Sequence, residues 1–437
     1  MQTTTRGRFP ALLARLPGAG GGPVFYGWWI VALGSLINAV GSGILNHSFT
    51  VFFLPLKNAF GVSSAAVSLL YAAARLEGGL EGPLVGYLIN KSGPRAMIVT
   101  GVCMAGGGLL LLSVAPGYWS FFCIYIFIVA LGHNAGFFHP ISTAVNSWFI
   151  RHRGMGFSWI TASGGAGAVL WAPLLSAIIQ SFGWRAGASA AGVVILLVGL
   201  PAAIPIRSTP ESMGLHPDGE TPDESPRPGQ AAATPLPGMP ELSVREALRT
   251  RVFWMLMGTI SLRLLVTVAV NTHLVPILVW GGLSEGAAAY GVSLYACTTI
   301  VAMMAMGWMG DRWGKSLMSG LGVVPVMLAM TGLVFSQAPF WLYALAVGEA
   351  IAMGTAPINW ALIGDLFGRR SYPTLRGIMG VSYGTLAFLS PIYAGWIFDV
   401  TGSYALALLT FALVALATVL CFAVLPAFSR PRSVARP

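Results

Sequence analysis

Residues 310–316, with the sequence GDRWGKS, end like a phosphate-binding loop and raise the question of nucleotide chemistry. Such a loop requires Gly, four residues and then Gly-Lys-Ser/Thr, because successive backbone N–H groups must wrap the phosphates. Counting back from Gly314, the first glycine would stand at position 309, which is Met309. The preceding segment, 292–309, is apolar and shows no strand–loop–helix pattern. The spacing therefore argues against nucleotide binding.

Other polar residues lie inside long apolar segments, where they suit the binding of an anion and a proton. An arginine in a low-dielectric cavity attracts an anion and can hold a carboxylate through two parallel hydrogen bonds. A histidine or a buried glutamate can exchange a proton near neutral pH. The predicted substrate-binding residues are Arg75, Arg263, His133, Asn134, Asn271 and Tyr383. The predicted proton-coupling residues are Glu349, His133 and His273.

Several of these polar residues also have a structural interpretation. Arg263 can be an ion-pair partner for Glu349 or another acid, because a charge inside a membrane is costly when it is unpaired. His273 can tie down the outer end of a helix. Glu77 and Glu81 are four positions apart on one helix face and can pair with cations across a helix interface. Both interpretations stay open at the level of sequence.

Composition indicates which elements hold these residues. Of 437 residues, 56% are hydrophobic and only 9% are charged, whereas a soluble domain carries roughly 25% charged residues. Apolar runs of about 20 residues recur along the chain, and each is long enough to cross a hydrocarbon core. The four cysteines lie in such runs without metal-ligand spacing, so we expect neither a metal nor another cofactor. The composition predicts an all-α membrane protein.

The apolar runs predict twelve transmembrane helices in two bundles of six. The predicted domains are a tail at 1–25, a bundle at 26–206, a linker at 207–252, a bundle at 253–426 and a tail at 427–437. The predicted helices lie at 26–47, 63–89, 96–115, 119–147, 155–181, 186–206, 253–279, 287–309, 316–336, 340–365, 374–398 and 404–426. Eight prolines between 207 and 240 predict disorder there. Ser243 and Glu246 form a possible capping box that begins a short interfacial helix.

The distribution of basic residues predicts the orientation. With the N-terminus in the cytoplasm, 20 of the 24 Lys and Arg residues fall in cytoplasmic segments, as the positive-inside rule requires. We therefore expect a multi-pass protein of the cell membrane, inner or plasma membrane, with both termini in the cytoplasm. The net charge of +10 is explained by contact with anionic lipids, and no nucleic-acid partner is expected.

An internal repeat explains the GDRWGKS segment. Residues 86–95, GYLINKSGPR, align with residues 307–316, GWMGDRWGKS, at an offset of 221. Arg153-Gly154 aligns with Arg376-Gly377 at an offset of 223, and Pro173 with Pro391 at an offset of 218. Three markers at nearly one offset indicate pseudo-symmetric halves, as in secondary transporters.

The repeated Gly-x-x-x-Asp-Arg-x-Gly pattern resembles the best-known motif of the major facilitator superfamily, and the resemblance covers all the predicted spans. It implies a cytoplasmic gate in which the carboxylate and the basic residue hold a neighbouring helix end in one state and release it in the other. The first copy has Asn90 where the family often has Asp. The gate residues that the resemblance implies are Gly86, Asn90, Lys91, Gly93 and Arg95, and Gly307, Asp311, Arg312, Gly314 and Lys315.

A narrower resemblance concerns the substrate. Residues 146–174, 271–276 and 364–380 are similar to segments of the monocarboxylate transporter and oxalate–formate antiporter families, which move small organic anions by proton symport or exchange. That group commonly carries a cation in span eight. Span eight here, 287–309, has no Lys, Arg or His, so a cation would have to come from another helix.

The sequence therefore predicts a secondary active transporter that works by alternating access. The expected substrate is a small organic anion, monocarboxylate-like, moved by proton symport or by exchange for a counter-anion, and the protein is expected to be a monomer. One alternative is a proton-coupled exporter of drugs or other amphipathic small molecules. An alternative of another class is a non-transporting membrane sensor. An enzyme is not expected, because no His is followed by Glu as the HExxH zinc motif requires.

Overall fold

The computed structural model describes residues 24–47, 49–219 and 242–429. Some side chains within these helices, including that of Arg75, lie outside the described part. The predictions for the two tails and for residues 220–241 of the linker also fall almost wholly outside it. All regular structure in the described ranges is helical.

The chain divides into two compact units: Met1–His152 with Trp159–Ala232, and Arg153–Ser158 with Ala233–Pro437. The helices of the first unit are α1 (Tyr26–Ser42), α2 (Phe49–Phe60), α3 (Ser64–Leu80), α4 (Gly82–Ser92), α5 (Pro94–Ser113), α6 (Tyr118–Ile124), α7 (Leu131–Gly136), α8 (Phe138–Trp148) and most of α9 (Arg153–Ala203). The helices of the second unit are α10 (Val244–Arg249), α11 (Arg251–Thr272), α12 (Leu274–Trp280), α13 (Glu285–Trp313), α14 (Lys315–Phe335), α15 (Pro339–Gly354), α16 (Ala356–Phe367), α17 (Tyr372–Thr401) and α18 (Ala405–Ser429).

Membrane-crossing helices dominate both units. Ten helices of the described ranges are long and apolar enough to cross a bilayer. One of them, α9, has 51 residues, which is about 76 Å at 1.5 Å per residue and more than twice a hydrocarbon core. It is interrupted at Gly183, whose φ is 82°. The multi-span prediction is confirmed, while the count of twelve stays a prediction.

The first predicted turn is misplaced. The sequence prediction ends the first span at residue 47 and leaves 48–62 without structure. In the structure a π-helical turn, Gly43–His47, follows α1, and α2 then continues through Phe49–Phe60. The sequence of α2, FTVFFLPLKNAF, is apolar apart from one end, so burial of this face outweighs the turn signal of Pro55.

Glycines with positive φ recur at matching positions in the two halves. The pairs are Gly61 with Gly282, Gly93 with Gly314, and Gly183 with Gly402, with separations of 221, 221 and 219 residues. At Gly93 and Gly314, φ is 80° and 103°, values that a side chain strongly disfavours. Ser63 and Ser284, also 221 residues apart, each cap the following helix through the side-chain oxygen. These pairs support the duplication inferred from the motifs.

The linker is partly structured. Two 3₁₀ turns, Pro210–Met213 and Pro217–Gly219, lie within residues 207–219, so the prediction of disorder does not hold for this part. The predicted capping box is confirmed at the other end of the linker. The Ser243 N–H donates to Glu246 Oε2 at 2.8 Å, and the Glu246 N–H donates to Ser243 Oγ at 3.3 Å. This box begins α10.

Close helix packing holds each unit together. In the first unit a Cβ built on Gly101 would lie 2.2 Å from the Cα of Gly136, so α5 and α7 touch through backbone. In the second unit Val266, Val326 and Leu345 belong to one buried cluster that joins α11, α14 and α15. These rigid helices position the polar side chains described next.

Candidate functional site

The central feature of the second unit is a buried pair of opposite charges, Arg263 on α11 and Glu349 on α15. The exposed fractions of the two residues are 1% and 0%. Arg263 Nη1 donates to the carbonyl oxygen of Ala352 at 2.9 Å, and the guanidinium and the carboxylate interact electrostatically. Within the described part of the chain, neither Glu349 oxygen receives a hydrogen bond, and Arg263 Nε and Nη2 donate none. The two charges therefore compensate each other without a hydrogen bond between them.

The unused atoms of Arg263 have a specific geometry. Nε and Nη2 form one edge of the planar guanidinium, with two parallel N–H bonds that match the two oxygens of a carboxylate. Buried polar groups without partners are uncommon in native proteins, and each needs an explanation. A free, shielded guanidinium edge suits a carboxylate ligand.

Tyr295 on α13 extends the polar cluster toward the surface. Its hydroxyl accepts a hydrogen bond from Asn271 Nδ2, and its ring lies close enough to Glu349 for electrostatic interaction. Asn271 is exposed, whereas Glu349 is buried. Tyr295 is therefore hydrogen bonded to an exposed amide and lies within the electrostatic surroundings of the buried carboxyl group. Tyr295 was not predicted, although a tyrosine within apolar span eight was visible in the sequence.

The polar residues of the first unit form a continuous hydrogen-bonded chain. Asn134 Nδ2 donates to Glu77 Oε2 at 2.9 Å, and Asn134 Oδ1 lies 3.4 Å from His133 Nδ1. His133 Nε2 lies 3.3 Å from Ser42 Oγ, which donates to Asn38 Oδ1 at 2.8 Å. The chain joins side chains of α3, α7 and α1. The structure thus brings the predicted pair His133 and Asn134 together with Glu77, Ser42 and Asn38.

Glu77 and Glu81 face each other. Their carboxyl groups interact with each other, and two neighbouring carboxyl groups favour one shared proton over two negative charges. In the described part of the chain no cation forms an ion pair with either glutamate, and the side chain of Arg75 lies outside that part. The expected pairing with a cation across a helix interface is thus not seen among the described side chains.

His273 and Tyr383 contact other groups than Arg263. The His273 ring nitrogens lie 3.0 Å from the Tyr404 hydroxyl and 3.0 Å from the Pro391 carbonyl oxygen. Because a carbonyl only accepts, Nε2 carries the hydrogen toward Pro391, which ties the end of α11 to α17. Tyr383 packs against Trp360, with ring centroids 5.4 Å apart.

A segment of α17 matches a serine motif that occurs in hydrolases. Residues 380–384, GVSYG, match Gly-x-Ser-x-Gly, which in hydrolases stands on a sharp turn from strand to helix. Here Ser382 lies inside α17, and its Oγ is 3.0 Å from Ser261 Oγ. The match therefore has no nucleophile geometry.

A second group of charges, here called the Asp311 cluster, comprises Arg153, Asp311, Lys315 and Asp365, all in the second unit. Arg153 Nη1 lies 2.6 Å from Asp365 Oδ1. Lys315 Nζ lies 2.9 Å from Asp365 Oδ2 and 3.2 Å from Asp311 Oδ1. Two basic and two acidic groups thus form a network of compensated charges. An isolated ion pair on the surface would contribute little to stability, whereas a network of several charges can contribute more.

Asp311 also caps the start of α9. Its carboxylate accepts hydrogen bonds from the N–H groups of Gly154 at 2.8 Å and Met155 at 2.9 Å. The first turn of a helix leaves such N–H groups unpaired and favours negative charge. The motif carboxylate therefore contacts the N-terminal end of α9, and the gate role that the resemblance implies stays a prediction.

The other motif residues differ in their surroundings. The guanidinium of Arg312 lies 5.8 Å from the Trp308 ring centroid. In the first copy Asn90, Lys91 and Arg95 are exposed and Gly86 is buried. Sequence reasoning did not assign Arg153 and Asp365 to the gate. Arg153 was marked by the internal repeat, and Asp365 lies in the segment 364–380 that carries the narrower resemblance.

Gly307 permits a close helix contact in the second unit. A Cβ on Gly307 would lie 2.1 Å from Ser158 Oγ and 2.9 Å from the Gly154 carbonyl oxygen. We expect Gly307→Ala to lower stability by about 1–3 kcal/mol, as overpacking does, measured as an earlier thermal unfolding transition in detergent. Gly258→Ala is the matched control, because nothing lies within 4 Å of its added methyl group. Equal transition temperatures for the two variants would contradict this packing account.

One cavity of the described structure lies away from these charges. It lies in the first unit and is lined by apolar and aromatic side chains, among them Ile44, Phe52, Leu109, Phe121 and Trp184. No charged residue lines it, so it does not suit an anion. Within the described residues no group of three or more His, Cys, Asp or Glu side chains could hold a metal ion.

The fold and the duplicated motif define a known class. A family model described as Major Facilitator Superfamily matches residues 31–281 and 265–437. The chain belongs to this superfamily and is a multi-pass membrane transporter rather than an enzyme.

Relatives and solved structures agree with this assignment. The chain is 23% identical to the uncharacterized MFS-type transporter YcxA of Bacillus subtilis (strain 168), over 86% of this chain and 90% of YcxA. It is 26% identical to monocarboxylate transporter 13 of Bos taurus, over 87% of this chain and 84% of that transporter. The crystal structure of the MFS transporter FucP in the outward conformation aligns with this structure at a TM-score of 0.66 and 17% sequence identity. The alignment covers 93% of this chain and 98% of FucP.

Proposed function

We propose that this protein moves a small organic anion, a monocarboxylate, across the membrane together with a proton. The observation that carries the proposal is the buried Nε–Nη2 edge of Arg263, which has no hydrogen-bond partner among the described residues. A carboxylate on this edge would form two charge-assisted hydrogen bonds in a shielded site. The similarity to monocarboxylate transporter 13 supports the substrate class.

Proton coupling follows from competition for Arg263. Glu349 compensates the guanidinium when no substrate is present, because an uncompensated buried charge is costly. A bound carboxylate next to ionised Glu349 would place two negative charges at one cation. Protonation of Glu349 removes the second negative charge and lets the anion bind. Asn271 and Tyr295, which are hydrogen bonded to each other, mark the side from which we propose that the proton reaches Glu349.

The first unit contributes a second exchangeable group in this proposal. His133 lies in the hydrogen-bonded chain from Glu77 to Asn38, and an imidazole can take up and release a proton. His133, Asn134 and Arg75 remain proposed contacts for the substrate. His273 contributes less, because its two ring nitrogens already contact Tyr404 and the carbonyl oxygen of Pro391.

The proposed mechanism is alternating access, in which the two units move relative to each other around the bound anion. The Asp311 cluster acts as a cytoplasmic gate in this scheme. When the cluster is intact, it holds the start of α9 at Asp311. When it opens, the helix end is released.

The test is uptake of radiolabelled lactate, pyruvate, formate and oxalate into proteoliposomes that contain the purified protein. We expect the steady-state accumulation of at least one of these anions to rise by about tenfold when an inward proton gradient of one pH unit is imposed, because each proton carried adds about 1.4 kcal/mol of driving force. Uptake that requires preloaded anion instead would indicate exchange. Absence of uptake for all four would contradict the proposed substrate class.

A further inference from the structure

The first turns of the linker grip a loop of the first unit through one carboxylate. Asp218 Oδ2 accepts hydrogen bonds from the N–H groups of Ile150 and Arg151, both at 2.9 Å. Asp218 Oδ1 lies 3.3 Å from His152 Nδ1. The exposed fraction of the Asp218 side chain is 4%, and that of His152 is 58%. A single buried carboxylate thus holds three consecutive residues of the loop between α8 and α9.

The backbone of Asp218 has an unusual conformation, which the surrounding contacts must maintain. Its φ is 58°, the one positive value at a non-glycine residue of the described ranges. Such values are uncommon outside glycine, and Asp and Asn tolerate them best. Strained positions of this kind persist where the surrounding structure determines them, and they cluster at functional sites.

Neighbouring contacts fix the same linker segment. The Trp148 indole N–H donates to the carbonyl oxygen of Arg207 at 2.9 Å, and the Tyr26 hydroxyl donates to that of Pro205 at 2.7 Å. A Cβ on Gly219 would lie 2.8 Å from the Phe25 ring, so the turn packs directly on that aromatic side chain. Residues 205–219 are therefore anchored at several points to the first unit.

Asp218 is ionised at neutral pH. Burial alone would raise the pKa of this carboxyl group, but hydrogen bonds from His152 and from the N–H groups of Arg151 and Ile150 lower the pKa below its ordinary value. A lowered pKa in the folded state means that the stabilisation is present above the unfolded-state pKa and is lost as pH falls through the folded-state value. The grip on the loop therefore persists from neutral into mildly acidic pH.

The loop that binds Asp218 is followed at once in the chain by residues that contact the Asp311 cluster. Residues 150–152 bind Asp218, and the next residue, Arg153, binds Asp365. Gly154 and Met155 then donate to Asp311. Two aspartates thus hold successive pairs of N–H groups along six residues of chain.

We propose that Asp218 is a positioning residue for the gate: it holds the loop before α9 so that Gly154 and Met155 are presented to Asp311 in each transport cycle. The proposal rests on the gate role proposed above for the Asp311 cluster. Without this hold, recapture of the helix end by Asp311 is slower, so turnover falls while the affinity for substrate is unchanged. The linker then has a mechanical role besides joining the two units.

The test uses hydrogen exchange with single-amide resolution on the full-length protein in lipid nanodiscs. Asp218→Asn removes the negative charge and keeps a residue that tolerates positive φ. Asp218→Gly also tolerates positive φ and removes both side-chain oxygens that accept hydrogen bonds. We expect exchange to quicken about tenfold at Ile150 and Arg151, and about threefold at Gly154 and Met155, because lost hydrogen bonds expose these amides. Glu246→Gln, a matched carboxyl-to-amide change in the α10 cap, should leave all four amides unchanged.

Transport supplies the second measurement, on whichever anion the wild type carries. Asp218→Asn should lower kcat about threefold or more with KM unchanged, as expected when a conformational step is slowed. Exchange that quickens only at Ile150 and Arg151, or an unchanged kcat, would overturn the positioning role. Equal effects of Glu246→Gln would also overturn it. The exchange data do not depend on substrate, so a failed substrate assignment and a failed role for Asp218 remain distinguishable.

Discussion

Replacing Arg263 with Lys is expected to abolish most carboxylate transport while the protein still folds. Lys keeps the positive charge beside Glu349, so the buried carboxylate stays compensated. It removes the planar Nε–Nη2 edge and with it the two parallel hydrogen bonds to a carboxylate. Charged hydrogen bonds contribute about 1.5–3 kcal/mol each, so we expect uptake at low substrate concentration to fall by about 10- to 100-fold.

The measurement is initial uptake of the transported anion into proteoliposomes at matched protein content. Arg185→Lys is the matched control, because Arg185 also donates to a backbone carbonyl, that of Ala115 at 3.2 Å, and lies outside the proposed site. Arg263→Ala should lose uptake as well, with an added loss of stability from uncompensated Glu349. Wild-type uptake by Arg263→Lys would contradict the role of this edge.

Replacing Asp311 with Asn is expected to slow turnover more than it weakens substrate binding. The change removes the charge that faces Lys315 and weakens the cap on Gly154 and Met155. If these contacts stabilise one conformation by about 1.5–3 kcal/mol, their loss shifts the equilibrium between conformations by about 10- to 150-fold. A carrier must visit both conformations in each cycle, so kcat falls when one of them becomes rare.

We would compare kcat and KM of uptake with substrate binding measured by tryptophan fluorescence. Asp399→Asn is the control, since it removes an exposed carboxylate of α17 outside the cluster. The account expects a kcat reduced by about tenfold and a nearly unchanged dissociation constant. Equal kcat values for Asp311→Asn and the wild type would show that the cluster does not govern the cycle.

Much of the fold was predictable because membrane insertion imposes local rules. Apolar runs, turn glycines and the capping box at Ser243 each determine helix formation or helix ends within a few residues of sequence. The structure has helices at the apolar runs and after Ser243. The first turn was wrong because α2 is short and carries Pro55, a local signal that tertiary packing overrides. Long-range arrangement was accessible only through the repeat, which marked equivalent turns such as Gly93 and Gly314.

The partners of the site residues were less predictable than the residues themselves. Arg263 and Glu349 stood out as charges in apolar helices, but nothing in the sequence shows which Arg263 atoms are used. Asp311 was marked by its motif, whereas Asp365 was marked only by lying in the segment 364–380, and Asp218 carries no motif. Their roles depend on backbone N–H groups and basic side chains that are distant in sequence, and such pairing is set by tertiary structure.

The central claim is that Glu349 and the substrate carboxylate compete for Arg263, so that a proton must accompany the anion. The most direct test compares proton-driven accumulation with exchange of labelled anion in Glu349→Gln, whose neutral amide imitates protonated Glu349. The account predicts that this variant retains exchange, with a rate independent of pH, and loses accumulation driven by a proton gradient. Accumulation by Glu349→Gln at the wild-type level would contradict the account.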